Sequence, residues 1–383
     1  MLTAIVFIIT LAVLIFVHEL GHFFVARRNG IKAEEFGFGF PPRIFGYVKE
    51  GKKWKFIRGS KEVESKNTIY SLNWIPLGGF VKIKGENGDI KEKDSFSSKS
   101  AWVRIKVLMA GVIMNFILAW FVISIAFTIG IPQAVDSSKQ IKNSVIQISQ
   151  VLQGGPAETM GIRPGDQLVK CVFDNPVCKN NFNNITEVQD LINGNKGKEI
   201  TLQIKRGNEI LNLQGTPRVN YPADQGPLGI SLAQTAVVSY PWYRAIYEGL
   251  MMTFRIIVLI ITTFYDIIKN LVVGEKVTVD ISGPIGIAIV AKQFTDLGFV
   301  YVLQFVALLS INLGIINALP FPALDGGRIL FILIEKIKGS PVSQKVEQMI
   351  HNFGFVFLIL LMLLVTFHDF LRFGILDKIK GIF

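Results

Sequence analysis

The chain has 383 residues, half of them apolar, with 40 Lys+Arg against 29 Asp+Glu for a formal net charge of +11. So apolar a composition is unusual for a soluble domain and puts membrane spans first. The charge is concentrated in residues 27–106, with 18 Lys+Arg and 9 Asp+Glu; such a segment beside a span usually faces the cytoplasm, and because its bases alternate with acids and form no basic helix or aromatic platform, nucleic acid is not the expected partner.

The chain opens MLTAIVFIITLAVLIFVHELGHFF. This run has no charged start and no small-residue cleavage site, so it reads as a retained span over roughly 2–26 and not as a signal peptide. Residues 27–103 are polar and basic, and their short runs GFGFPPRIFGYV, WKFIRG and NTIYSLNWIPLGGFVKIKGE, punctuated by Gly and Pro, suggest hairpins. The apolar tip Trp74, Ile75, Pro76 and Leu77, followed by Gly78-Gly79, suggests a loop that re-enters the membrane, where such backbone is tolerated only if protein or water satisfies it. A second span follows at about 104–130.

Residues 131–222 form a soluble insert. VIQISQV reads as a strand, GGPAETMGIRPGDQLVKC as turn, short helix, turn and strand, ITEVQDLINGN as a helix, and EITLQIKRGNEILNLQGTP as a hairpin. The succession resembles a PDZ domain, on GPAETMGIRPGD (155–166) and the KRGNE turn; such a domain implies contact with an extended peptide through an open sheet edge. Cys171 and Cys178 are the only cysteines, too few for a metal framework, and stand either as a short disulfide in an oxidising compartment or as two thiols. The stretch 250–273 carries Arg255, Asp266 and Lys269 and follows Trp242 and several tyrosines. It suits an amphipathic helix at the interface about as well as a span. Further spans are expected at about 300–320, running on toward 334, and at 353–373.

HELGH (18–22) matches H-E-x-x-H. Residues four apart share a helix face, so His18 and His22 can address one zinc ion, and Glu19 beside them can take a proton from water. With four histidines in the chain, chance would produce this motif roughly 0.002 times. Catalytic zinc commonly has three protein ligands. His351 and His368 lie at a polar junction and near the far end of the last span; Asp325, a carboxylate inside the chiefly apolar INLGIINALPFPALDGGRIL, is the better third ligand, since it is costly there unless paired or bound to a cation. Pro320 and Pro322 break the helix nearby, and Asn312 and Asn317 add amides at the same depth.

HELGH in the first span and N-x-x-P-x-P-x-L-D-G-G (317–327) in a later one together resemble the site-2 protease family of intramembrane zinc metalloproteases. GFGFPP (37–42), IPLGGFVK (75–82), SGPIGIA (282–288), EKIKGSPVS (335–343) and HDF (368–370) are similar to its bacterial RseP branch, which regulates the sigma-E envelope stress response. The resemblance implies zinc on His18, His22 and Asp325, with Glu19 as general base. It also implies a substrate backbone held by Asn312, Asn317 and the re-entrant loop with Leu77, Gly78 and Gly79. AGVIMN (110–115) keeps Asn115 where the family has A-G-P-x-x-N but carries Val112 in place of proline, and one PDZ-like unit stands where the branch has two.

The expected architecture is a polytopic α-helical membrane protein of about four transmembrane helices, with a re-entrant β-hairpin region and an inserted extracytoplasmic PDZ-like α/β domain. Its parts are an N-terminal membrane region (1–130), the PDZ-like domain (131–230), an amphipathic region (231–283) and a C-terminal membrane region (284–383). With 27–103 cytoplasmic, the histidines and Asp325 reach the same depth only if 250–273 does not cross, which leaves the terminal Lys378 and Lys380 outside. The expected activity is cleavage of transmembrane segments of single-span proteins in the bacterial inner membrane. The substrate would be an anti-sigma factor, with remnant signal peptides as another. Two other classes compete: a membrane metal-ion transporter, which leaves Glu19 unexplained, and a non-catalytic PDZ adaptor, in which the histidines are dispensable.

Overall fold

The first element of the computed structural model, helix α1 (Leu2–Arg28), is about 40 Å long, more than the roughly 30 Å of bilayer hydrocarbon. It ends where the sequence supplies a stop. Gly30 takes φ 67°, the Gly30 N–H donates to the Arg27 carbonyl at 3.1 Å, and the Ile31 N–H donates to the Ala26 carbonyl at 3.0 Å. That pair of bonds is the Schellman arrangement, with Ile31 buried against Ala26 as its apolar contact. The residues described are 2–61, 63, 65–86, 88, 92–134, 144–152, 154–171, 182, 184–222, 225–274, 283–340 and 342–372. Cys178, Lys378 and Lys380 lie outside them; Cys171 is buried at the end of a strand.

Strands β1 (Ala33–Glu50), β2 (Lys53–Arg58) and β3 (Ile69–Ile83) precede helix α2 (Ala101–Ile129). Then come β4 (Ile131–Ala134), β5 (Val145–Val151), α3 (Pro156–Thr159), β6 (Gln167–Cys171), α4 (Ile185–Gly194), β7 (Ile200–Arg206), β8 (Glu209–Gly215) and β9 (Ile230–Val238). Helices α5 (Trp242–Val273), α6 (Pro284–Leu297), α7 (Phe299–Ala318), α8 (Asp325–Lys338) and α9 (Gln344–Arg372) complete the chain. Five helices are long and apolar enough to cross a membrane: α1, α2, α5, α7 and α9. The expected segment 300–320 running on toward 334 is two helices, α7 and α8, because Pro320 and Pro322 cannot donate to a helical ladder and the chain turns through 319–324. No residue of the most apolar 18-residue stretch of α5 is buried.

Packing divides the chain into two compact units: Met1–Ser124, Ile246–Ala291 and Gln304–Phe383 make one, and Ile125–Ala245 with Lys292–Leu303 the other. In the first, β1 lies between β2 and β3 in a sheet whose pairings are antiparallel except where Glu35–Phe38 runs alongside Ile69–Leu72 in parallel register. Both long strands fold back on themselves. Phe36 faces Val81 and Tyr70, and Tyr70 faces Tyr47, so the first half of β1 sits between the two halves of β3, whose Phe80–Ile83 half is outermost. The expected hairpin region is therefore a small rolled sheet whose outer edge has no strand partner among the described residues.

The second unit is a six-stranded antiparallel sheet in the order β4-β9-β5-β6-β7-β8. Alternate residues of its strands, Ile146, Ile148, Ile200, Leu202 and Ile204, bury against Val188, Leu191 and Ile192 of α4. Asn184 caps α4 by accepting the Glu187 N–H at 2.8 Å. Asp166 is fully buried and takes both Nε and Nη2 of Arg206 at 2.7 Å, which ties the MGIRPGD loop to β7. The carboxylate holds the guanidinium above its ordinary pKa. Strand β9 runs beyond residue 230, where the insert was expected to end, and pairs with both β4 and β5.

Candidate metal centre

Helices α1 and α2 approach closely because small residues face each other. A Cβ on Gly21 would meet the Ala110 carbonyl oxygen at 2.4 Å, and a Cβ on Gly111 would meet His22 Nε2 at 2.5 Å and His18 Cε1 at 2.6 Å. Only glycine leaves room there for both rings. Each ring is then fixed through its other nitrogen. His22 Nδ1 lies 2.8 Å from the Val107 carbonyl oxygen, to which it donates. That fixes the tautomer and leaves the Nε2 lone pair available. His18 Nδ1 lies 3.2 Å from the Asn115 side-chain amide, whose Oδ1 is buried without a partner. Turning that amide over satisfies the oxygen and gives His18 the same tautomer as His22. Asn115 is itself held, its carbonyl accepting the Ser310 hydroxyl of α7 at 2.7 Å.

Asp325 comes from the other end of the chain and opens α8. Its neighbours Gly326 and Gly327 pass so close to the 318–321 backbone that a Cβ would lie 2.1 Å from the Leu319 oxygen and 2.2 Å from the Phe321 oxygen. The helix is tied down by ion pairs from Arg328 to Glu86 and from Arg104 to Glu335 at 2.8 Å. Ahead of it, Ala323 is the one non-glycine with positive φ (75°) among the described residues, and its N–H donates to His351 Nδ1 of α9 at 2.8 Å. Pro322 packs where a Cβ on Gly354 would stand, 2.5 Å from the proline Cβ. His351, set aside as a ligand on sequence, holds the backbone two residues before Asp325.

Asp325 Oδ2 lies 3.1 Å from His18 Nε2 and 3.4 Å from His22 Nε2, and the two Nε2 atoms are 3.1 Å apart. Ligands about 2.0–2.1 Å from a tetrahedral zinc would be separated by about 3.3 Å, so this triangle has the size of one face of such a site. The chemistry agrees: two imidazole nitrogens and a carboxylate oxygen are a zinc donor set, and Asp325 Oδ2 is buried with no hydrogen-bond partner. Glu19 is half-buried beside the histidines and makes no side-chain hydrogen bond among the described residues.

The residues expected to meet substrate fall into two groups. Gly78, at φ 77°, and Gly79 pass against α1, where a Cβ would lie 2.4 Å from Ile15 Cβ and 2.9 Å from Phe16 Cδ2 respectively. The tip of β3 with Leu77 thus rides on α1 less than one turn before His18, and Trp74, Ile75 and Leu77 are exposed. Asn312 is on α7 with its amide donating to the Leu308 carbonyl at 2.9 Å, while Asn317 in the last turn makes no side-chain hydrogen bond among the described residues. Gly111 and Asn115 were not expected to set the rings; a glycine and an asparagine four apart in an apolar helix were the available signal.

A metal-dependent hydrolase site carried by apolar helices is the class this geometry defines. The profile of Peptidase family M50 matches residues 6–58 and 60–361. Over 367 residues the chain is 33% identical to a Clostridium perfringens protein provisionally named a zinc metalloprotease, covering 94% of this chain and 96% of that one. It is 29% identical to the regulator of sigma-W protease RasP of Bacillus subtilis (97% and 98% covered) and 27% identical to the zinc metalloprotease RasP of Geobacillus kaustophilus (96% and 97%). The chain belongs to peptidase family M50, the site-2 protease family, and is a zinc metalloprotease.

Proposed function

We propose that this protease cuts peptide bonds within the transmembrane segments of single-span membrane proteins, with His18, His22 and Asp325 holding zinc and Glu19 as general base. The observation that carries the reading is the triangle of Nε2, Nε2 and Oδ2 atoms, 3.1–3.4 Å on a side, built from the first helix and the chain's last third. Zinc supplies Lewis acidity there, making water a nucleophile near neutral pH and polarising a carbonyl. The chain's own groups do the rest. Glu19 takes the proton from water and passes it to the leaving amine. Val107 and Asn115 keep the imidazoles in one tautomer. A helical substrate must be unwound first, and the outer half of β3 offers unpaired backbone to an extended segment beside the histidines; Asn312 and Asn317 hold its amides.

The metal centre also bears on topology. The C-terminal halves of α1 and α7 lead to the same site, with α2 returning between them. A full crossing by α5 would reverse α7, because α6, 14 residues long, falls short of the roughly 20 a span requires. Four crossings (α1, α2, α7 and α9) with α5 in the interface satisfy the site. The basic 27–106 segment then faces the cytoplasm of a bacterial inner membrane, and the six-stranded sheet unit, read as a PDZ-like peptide-binding module, lies outside. That a relative is named a regulator of sigma-W protease supports a substrate of the anti-sigma-factor type.

The test is zinc content and cleavage of a single-span substrate in vesicles. Wild type should bind one zinc and cut; Glu19→Gln should keep zinc and lose cleavage; His22→Ala and Asp325→Asn should lose both. Full cleavage by Asp325→Asn or Glu19→Gln would overturn the assignment.

A further inference from the structure

The end of α1 borders a depression of about 490 Å³ that catalysis does not use. Arg27 of α1, Lys32, Lys49 at the end of β1, and Lys66 before β3 supply cationic groups to its rim, with Trp54 and Tyr70 between them. The frame is fixed by protein contacts. Arg27 Nη1 donates to the Tyr70 hydroxyl at 3.1 Å, Thr68 Oγ1 to the Ala33 carbonyl at 2.8 Å, the Lys32 N–H to the Asp94 carbonyl at 2.9 Å, and Asn67 Nδ2 to the Lys49 carbonyl. Asp94 is the one carboxylate among the lining residues; Lys84, 2.9 Å away, holds its carboxyl below the ordinary pKa, with the charge of Lys32 adding to the effect. Lys32, Lys49 and Lys66 form no ion pair within 4.0 Å among the described residues.

We infer that this basin binds the phosphate-bearing headgroup of an anionic glycerophospholipid. Four cationic groups share the depression with one lining carboxylate, Asp94, which is itself paired with Lys84, so positive charge is in excess there and an anion relieves the repulsion. Position selects a lipid: Arg27 stands in the last turn of a helix long enough to span the bilayer, so the basin opens at headgroup level, where Trp and Tyr rings also collect. The volume admits a phosphodiester with its glycerol as well as a bare phosphate. The inference does not depend on the proposed proteolytic chemistry.

The experiment uses the full chain in neutral detergent. It is titrated with short-chain phosphatidylglycerol, short-chain phosphatidylcholine or inorganic phosphate, and bound ligand is counted by native mass spectrometry. Phosphatidylglycerol should bind at one saturable site, at least about tenfold more tightly than either comparator. Replacing Lys32, Lys49 and Lys66 together by Gln should weaken it about a hundredfold, since each lysine near an anionic surface contributes roughly a factor of five. Replacing Lys52, Lys61 and Lys93 by Gln, an equal loss of charge outside the rim, should change it less than about threefold. Unchanged zinc content and elution volume show that the variants are folded, and Lys49→Glu alone should weaken binding in the same sense. Equal weakening by the two triple variants would overturn the site in favour of diffuse attraction. Equal binding of inorganic phosphate would replace the lipid by a free anion, and equal binding of phosphatidylcholine would remove the charge argument.

Discussion

His18 Nε2 and Asp325 Oδ2 stand 3.1 Å apart, and the aspartate oxygen, buried, accepts no hydrogen bond. A carboxylate so placed costs several kcal/mol unless a cation answers it. Metal should therefore be part of the fold's stability. Stripping zinc with a chelator is expected to lower the thermal midpoint in detergent micelles, and restoring it should raise the midpoint in proportion to the logarithm of free zinc. Asp325→Asn should show almost no zinc-dependent shift. An equal shift in that variant would mean that the metal acts elsewhere.

Gly111 and Asn115 touch the rings from α2 and carry no ligand atom of the triangle. A methyl at Gly111 would lie 2.5 Å from His22 Nε2, so Gly111→Ala must tilt a ring or part the helices. Asn115→Leu removes the partner of His18 Nδ1. Each is expected to weaken zinc binding about 10- to 100-fold, the usual cost of disturbing a ligand's support. Competition with a chromophoric chelator measures this. Helical content by circular dichroism should stay within error for both; wild-type affinity in either would show that the rings are set by α1 alone.

What the sequence discloses here follows the range of the physics. The meeting of His18, His22 and Asp325 was legible because H-E-x-x-H rests on helix periodicity, and because a carboxylate in an apolar stretch signals its own cost. The β runs and the long apolar helices were legible from Gly and Pro punctuation and unbroken apolar length. The packing between α1 and α2 was not: the roles of Gly21 and Gly111 are defined by distances to residues on another helix, and the spacing of Gly111 from Asn115 is only a weak local mark. The strand fold-back was hidden for the same reason, since Phe36 pairs with two stretches of β3 at once. The boundary at 230 missed β9 because its partners, β4 and β5, lie nearly a hundred residues earlier, while the break at 319–324 followed directly from Pro320 and Pro322.

Two motifs with no assigned chemistry meet in the structure. Asp369, fully buried, accepts the Gly286 N–H at 2.8 Å, and a Cβ on Gly283 would lie 2.9 Å from the same oxygen. The carboxylate of α9 thus caps the first turn of α6, satisfying a backbone donor that has no helical partner. Asp369→Ala should destabilise the protein by about 1–3 kcal/mol, the cost of leaving a buried donor unmet. Asp369→Asn, which keeps an acceptor, should cost about 1 kcal/mol or less. Denaturation in mixed micelles gives the order; zinc stoichiometry should be unchanged in both. Equal stability of Asp369→Ala and wild type would show that water or another group meets the Gly286 N–H.

His351 acts one step behind Asp325. Its Nδ1 accepts the N–H of Ala323, whose left-handed backbone costs an alanine about 1–2 kcal/mol, and Asp325 follows two residues later. His351→Leu should let the 319–324 turn relax and carry the carboxylate out of place, lowering zinc affinity about tenfold. The visible spectrum of the cobalt-substituted protein should change shape, since the ligand set loses its geometry; a general loss of stability would lower the amount of folded protein and leave that spectrum as it is. Glycine takes positive φ without the alanine penalty, so Ala323→Gly in the His351→Leu background should recover most of the affinity and the original spectrum. If His351→Leu binds cobalt with the wild-type spectrum, the turn is held by Pro322 against Gly354 alone, and the histidine has no part in placing Asp325.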